Sequence, residues 1–151
     1  MNPQPSAYVH VAEPGAYWLR RGPAVVDCSV MAAVLWAEPA APQAVSLISG
    51  KSLHAPQLLA YELANVARNK SRSGVPQDDA LAGLAAFTEQ IVVLHRGASQ
   101  DPRALWALAE RYQLSAYDAA YLLLATVLQA PLMTFDKKLS EAARRHLSPP
   151  G

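Results

Sequence analysis

The chain has very little of several features that would point directly to a function. Cys28 is its only cysteine among 151 residues, so no internal disulfide can form, which favours a reducing compartment. The formal net charge is only +1, and no strongly basic tail or face marks the chain as a nucleic-acid binder. No apolar run is long enough for a bilayer, and the amino-terminal stretch lacks the basic flank and apolar core of an export signal. These absences predict a soluble, cytoplasmic protein.

The sequence also lacks the short motifs of several enzyme classes. No G-x-S-x-G, Walker or G-x-G-x-x-G pattern is present, and the histidines have no metal-ligand spacing. Cys28 has no histidine near it in sequence that would activate a thiol nucleophile, so a buried small residue is the better interpretation. A phosphatase with Asp27 as nucleophile needs a second Asp two residues later, where this chain has Ser29.

What is present is enough apolar material for one compact domain, since 52% of the residues are hydrophobic. Residues 1–23 carry four prolines and little periodicity, which predicts a flexible or lightly docked extension before a domain at 24–148. Within that domain, short apolar strands alternate with longer helical stretches. Strands are predicted at 24–27, 52–56, 91–95 and 131–135, and helices at 29–37, 41–49, 56–70, 76–90, 99–112, 115–129 and 136–147, with Pro56 at a helix start and Trp36 and Trp106 in the core.

Strands separated by long helical crossovers predict an α/β fold with a mostly parallel sheet and helices on both faces. Ligands of such sheets bind outside the carboxyl ends of the strands. Asp27 ends the first predicted strand and Asp136 follows the last one. Glu62 and Asp118 lie in helices whose starts are expected at the same edge. Four carboxylates from four separate elements are therefore expected in one crevice.

Each of these acids also has a local explanation. Ser115 and Asp118 have the spacing of a capping box, Asp136 is a suitable helix N-cap, and Asp27 could cap the helix that follows it. Glu62 could lie on a solvated face. Taken together, however, four close carboxylates repel one another, and a divalent cation resolves the repulsion. Mg²⁺ and Mn²⁺ prefer carboxylate oxygens and water, so hydrolysis of phosphodiester bonds is the natural reaction of such a site.

Four stretches resemble a known family in order and spacing: VVDCSV, APQLLAYELANVARN, LSAYDAAYLLLA and LMTFDKKL. They are similar to the PIN-domain ribonucleases, most of all to the VapC-type toxins of toxin–antitoxin pairs, from about residue 24 to residue 147. The resemblance implies a three-layer α/β/α fold, Mg²⁺ or Mn²⁺, RNA cleavage, homodimers and inhibition by a cognate antitoxin protein. It also implies that four residues are the metal-binding, catalytic acids: Asp27, Glu62, Asp118 and Asp136. Cys28 and the long amino-terminal extension depart from the family pattern.

Several further residues are predicted to support this site. Thr134 matches the family's small hydroxyl residue before the final Asp, Asn65 lies one turn after Glu62, and Ser29 follows the first Asp closely. Cationic residues near the acids are candidates for RNA phosphate contacts, namely Arg68, Lys70, Arg72 and Lys137. Ordinary solvation of these polar groups is the alternative.

Two other functions stay open on the sequence alone. The chain could be a PIN-type RNA-processing nuclease with no toxin role, or a PIN-like binding module whose acids are only helix caps. The binding module predicts that divalent ions leave the melting temperature unchanged, whereas a metal that binds the folded state raises it.

Overall fold

A computed structural model describes residues 21–97 and 101–148, so most of the predicted extension, residues 1–20, lies outside the described residues. The described chain forms one sheet of four parallel strands. The strands are β1 (Pro23–Val26), β2 (Ser52–Pro56), β3 (Val92–His95) and β4 (Leu132–Met133). Their order is β3-β2-β1-β4, which places β1 and β2 in the centre and confirms the predicted parallel α/β architecture.

Helices connect the strands and cover both faces of the sheet, as in a three-layer α/β/α fold. The described residues hold α1 (Cys28–Leu35), α2 (Ala41–Ile48), α3 (Leu58–Arg72), α4 (Gln77–Glu89), α5 (Pro102–Tyr112), α6 (Ala116–Leu128) and α7 (Lys137–Leu147). None of these described helices combines the length and the hydropathy that crossing a membrane requires.

Strand β2 has the predicted bounds, but the start of α3 and the length of β4 differ from the prediction. Pro56 was expected to open a helix, but it ends β2, where it pairs with His95. The N–H of Gln57 then donates to the His95 carbonyl at 3.0 Å, so the ladder with β3 delays the start of α3 to Leu58. The last strand is shorter than expected because the N–H of Phe135 donates to a side chain, Ser29 Oγ at 2.9 Å, rather than to a strand.

The core lies between the central strands and the helices. Ala24, Val25 and Val26 are all fully buried, which is typical of a parallel strand covered on both faces. Helix α6 packs on β1 and β2 and contributes Tyr121 and Leu122 to this core. The strand that leads to the first acid, Asp27, is therefore covered on both faces.

Trp36 and Trp106 were both predicted to lie in the core, but only Trp36 packs there. Trp36 packs against the core and donates from Nε1 to the Ala80 carbonyl at 3.1 Å. A Cβ atom on Gly83 would lie 2.2 Å from the Trp36 ring, so only glycine fits there. The core prediction for Trp106 is wrong, since that residue is 67% exposed. The inward face of α5 is taken by residues at helical spacing, namely Leu105, Leu108, Ala109 and Tyr112, which turns position 106 outward.

Candidate metal centre

Asp27 is the most buried of the four acids, with 6% of its surface exposed. It follows β1 at the carboxyl edge of the sheet and is the N-cap of α1. Its Oδ1 accepts from Ser29 Oγ at 2.7 Å and from the Val30 N–H at 3.1 Å. Its Oδ2 accepts from Thr134 Oγ1 at 2.5 Å. Hydrogen bonds to both oxygens fix the direction of this carboxylate.

The residues after β4 complete a network of hydroxyl groups around Asp27. Thr134 Oγ1 also accepts from the N–H of Asp136 at 3.0 Å. Asp136 is the N-cap of α7, and its Oδ1 accepts from the Leu139 N–H at 2.8 Å. The structure thus places the predicted supporting residues Ser29 and Thr134 directly against Asp27, where they join the ends of β1 and β4.

Glu62 and Asp118 come from helices α3 and α6. Glu62 is half-buried, and its Oε1 accepts from the hydroxyl of Tyr121 at 2.6 Å. The N–H of Asp118 donates to Ser115 Oγ at 3.0 Å, so the predicted cap at the start of α6 is present. The Ser115 hydroxyl thus satisfies a backbone donor in the first turn of α6, as the capping spacing predicts.

Electrostatics link the four acids pairwise. Burial raises the pKa of Asp27, and it is also the largest cause of the raised pKa values of Glu62 and Asp118. The charges of Asp118 and Asp27 raise the pKa of Glu62 further, and the charge of Asp136 does the same for Asp118. Three pairs of these acids therefore disfavour each other's charged form, namely Asp27 with Glu62, Glu62 with Asp118, and Asp118 with Asp136.

The type of donor fits a hard divalent cation. Among residues 21–97 and 101–148, none of the four carboxylates forms an ion pair with Lys, Arg or His. In the same ranges, no three Asp, Glu, His or Cys side chains lie close enough to hold a metal ion by themselves. Mg²⁺ does not need such a cage, since it commonly keeps several waters and uses one or two carboxylates together with substrate phosphates. The oxygen donors of these carboxylates would therefore suit Mg²⁺ or Mn²⁺.

Cys28 lies beside this site as a neutral thiol. Burial, followed by the charges of Glu62, Asp27 and Glu38, raises its pKa to about 12. A thiol with this pKa holds no thiolate near neutral pH, and the thiolate is the reactive form. The environment of Cys28 therefore supports the interpretation that it is not a nucleophile.

The other predicted residues have more varied positions. Four of them, Asn65, Arg68, Arg72 and Lys137, are exposed on α3 and α7, and their side chains form no hydrogen bond among the described residues. Lys70 instead pairs with Glu38 Oε1 at 2.7 Å and lies 5.6 Å from the centre of the Trp36 ring. The charge of Lys70 is thus already partnered within the protein.

Three tyrosines near the acids were missed by sequence reasoning. Tyr61 and Tyr117 are 70% and 69% exposed, and each directly precedes one of the acids. Tyr121, by contrast, is only 1% exposed and donates to Glu62. Its position three residues after Asp118, on the same helical face, was the available signal.

The fold and the site together define a class of protein. The family model of the PIN domain matches residues 24–145. A crystal structure, PAE2754 from Pyrobaculum aerophilum, has a TM-score of 0.64 at 23% identity, covers 82% of this chain and 86% of its own, and shares the fold. The chain belongs to the PIN-domain family, which confirms the resemblance seen in its motifs.

Its curated relatives place it within that family. The chain is 33% identical over 122 residues to Ribonuclease VapC3 of Pyrobaculum aerophilum. The aligned region covers 78% of this chain and 92% of the relative. It is 32% identical over 121 residues to Ribonuclease VapC9 of Mycobacterium tuberculosis, with 80% and 91% covered. The chain is therefore a VapC-type member of the PIN-domain family.

Proposed function

We propose that this protein is a Mg²⁺- or Mn²⁺-dependent endoribonuclease and the toxin of a toxin–antitoxin pair. The observation that carries the proposal is the set of unpaired carboxylates at the carboxyl edge of the parallel sheet, centred on the buried Asp27. The names of its relatives as VapC ribonucleases supply the substrate class.

Each of the residues at this site has its own proposed role. Asp27, with both oxygens held by hydrogen bonds, is the fixed ligand, and Glu62, Asp118 and Asp136 complete the acidic set. When bound, the divalent ion would neutralise charge on the phosphoryl oxygens and help to activate water. The exposed rings of Tyr61 and Tyr117 offer stacking surfaces for splayed bases of a single-stranded RNA.

Two measurements test the nuclease. RNA cleavage is expected with Mn²⁺ or Mg²⁺ and is expected to stop with a chelator. Asp118→Asn should abolish it, whereas Asp101→Asn is the matched control, because Asp101 also lies at the start of a helix but belongs to α5 and is exposed. Equal cleavage by Asp118→Asn and the parent would remove Asp118 from the site.

RNA binding by the exposed cations can be tested through salt. Arg68→Gln is expected to weaken binding and to reduce the slope of log affinity against log salt by about 1, as for a lost phosphate contact. Lys70→Gln should leave that slope unchanged, because Glu38 already engages Lys70. A reduced slope in Lys70→Gln but not in Arg68→Gln would show that RNA contacts Lys70 instead of Arg68.

The toxin role and the partners need tests of their own. Induced expression should arrest growth, and co-expression of a cognate antitoxin should restore it; growth that continues with active nuclease favours the RNA-processing alternative. The binding-module alternative requires that Mn²⁺ leave the melting temperature unchanged. A homodimer is proposed as well, as the family resemblance implies, and its test is the molar mass in solution.

A further inference from the structure

We propose that Tyr121 is a positioning residue whose hydroxyl sets the direction of the Glu62 carboxylate toward the divalent ion. The inference rests on the proposed function and deepens it, because it assigns a residue of the core to the metal site. The observation is the hydrogen bond of 2.6 Å from the Tyr121 hydroxyl to Glu62 Oε1.

The hydroxyl of Tyr121 can direct Glu62 because its own position is fixed. Tyr121 is almost fully buried within α6, where its ring is among the largest fully buried side chains of the described residues. Glu62, by contrast, is half-buried, and its side chain has more rotatable bonds than that of tyrosine. A rigid donor that holds a flexible acceptor restricts the rotamers of the acceptor, and this lowers the entropy that Glu62 loses when it binds an ion.

The helix register strengthens this assignment. Tyr121 lies three residues after Asp118, so both side chains are on the same face of α6. One rigid helix therefore supplies a proposed ligand and also holds a second proposed ligand that comes from α3. A hydroxyl that merely needed a partner inside the core could be replaced by the apolar ring of phenylalanine with no consequence for metal binding.

The experiment compares Mn²⁺ affinity by titration calorimetry in single and double variants. Tyr121→Phe keeps the ring and removes only the donor, and it is expected to weaken Mn²⁺ binding about tenfold, as for other partners of metal ligands. Tyr112→Phe is the matched control, since it also removes the hydroxyl of a buried tyrosine, one that contacts His146 at 2.9 Å instead of an acid of the site. Its Mn²⁺ affinity should equal that of the parent.

A double-variant cycle shows whether Tyr121 acts through Glu62. In the Glu62→Gln background, Tyr121→Phe should cost no further Mn²⁺ affinity. Glu62→Asp, which keeps the charge but shortens the side chain, should weaken binding as Tyr121→Phe does, and it serves as the second variant if Tyr121→Phe does not fold.

Three outcomes overturn the assignment. They are unchanged Mn²⁺ affinity in Tyr121→Phe, tighter binding in that variant, and an equal loss with or without Glu62. A parent protein that neither binds Mn²⁺ nor cleaves RNA refutes the proposed function itself, and this role falls with it. A parent that binds Mn²⁺ and loses affinity in Glu62→Gln but not in Tyr121→Phe refutes only the role of Tyr121.

Discussion

The hydroxyl of Thr134 donates to Asp27 Oδ2 at 2.5 Å across the pair of strands β1 and β4. Because the same hydroxyl oxygen accepts from the N–H of Asp136, one side chain sets the position of the buried acid and of the segment that carries the last acid. The N–H of Asp27 also donates to the Met133 carbonyl at 3.1 Å, so backbone and side chain act together at this junction.

Replacement of Thr134 by valine should therefore destabilise the metal-free protein. The variant leaves an oxygen of buried Asp27 without its donor and the N–H of Asp136 without its acceptor, a loss of about 2 kcal/mol in the free energy of unfolding. Urea denaturation measures this free energy. Thr134→Ser keeps the hydroxyl and is the control. Equal stability of the valine and serine variants would show that the hydroxyl contributes nothing.

Asp118→Asn should make the metal-free protein more stable while it removes metal binding. The pKa of Asp118 is raised by burial and by Asp136, so the charged form favours folding less than a neutral isostere does at neutral pH. A gain of about 1 kcal/mol, or roughly 2–4 °C in melting temperature, is expected. Thermal melts without Mn²⁺ measure the stability, and melts with Mn²⁺ show whether the ion still raises the melting temperature. A variant that melts lower than the parent and is still stabilised by Mn²⁺ contradicts both expectations.

A pair of histidines should make stability depend on pH. His54 Nδ1 lies 2.8 Å from His95 Nε2, and burial followed by the charge of His95 lowers the pKa of His54. Protonation then costs more in the folded than in the unfolded chain. Stability from this source is complete above the unfolded pKa of about 6.5 and decreases as the pH falls toward the lowered folded value.

The test is the free energy of unfolding between about pH 7 and about pH 5 in the parent and in His54→Gln. The variant should lose less stability on acidification than the parent. Some slope remains, since the pKa of His146 is also lowered, and the raised pKa values of the buried acids act with the opposite sign in both proteins. Identical profiles would show that the histidine pair has no effect.

Gly83→Ala should be destabilising although alanine is the better helix former. An added Cβ would meet the Trp36 ring at 2.2 Å, and overpacking of this kind costs about 1–3 kcal/mol. That cost exceeds the gain of roughly 1 kcal/mol from helix propensity. Combining Gly83→Ala with Trp36→Leu should restore part of the loss, and chemical denaturation of the three variants measures it.

The sequence predicts the features of this fold that depend on local pattern. The alternation of apolar strands and helices is enough for the parallel sheet, and Ser115 and Asp136 are recognisable as caps from their spacing alone. The topology rule for parallel sheets then places Asp27 and Asp136 at one edge, since each follows a strand.

Features that depend on contacts between distant elements were out of reach. The start of α3 at Leu58 is decided by the pairing of β2 with β3, and the outward position of Trp106 by which face of α5 packs. The contacts of Tyr121 with Glu62 and of His54 with His95 join residues 59 and 41 positions apart. No local pattern encodes such pairs, because they arise only when helices and strands pack.

The short pairing of β4 with β1 also has a consequence for the synthesis of the protein. The hydroxyl that holds Asp27 belongs to a residue 107 positions later in the chain. A growing polypeptide on the ribosome therefore carries Asp27 and Glu62 long before it acquires Thr134 and Asp136. A nascent chain that has not yet reached Thr134 and Asp136 therefore lacks the hydroxyl donor of Asp27 and one of the four acids of the proposed site.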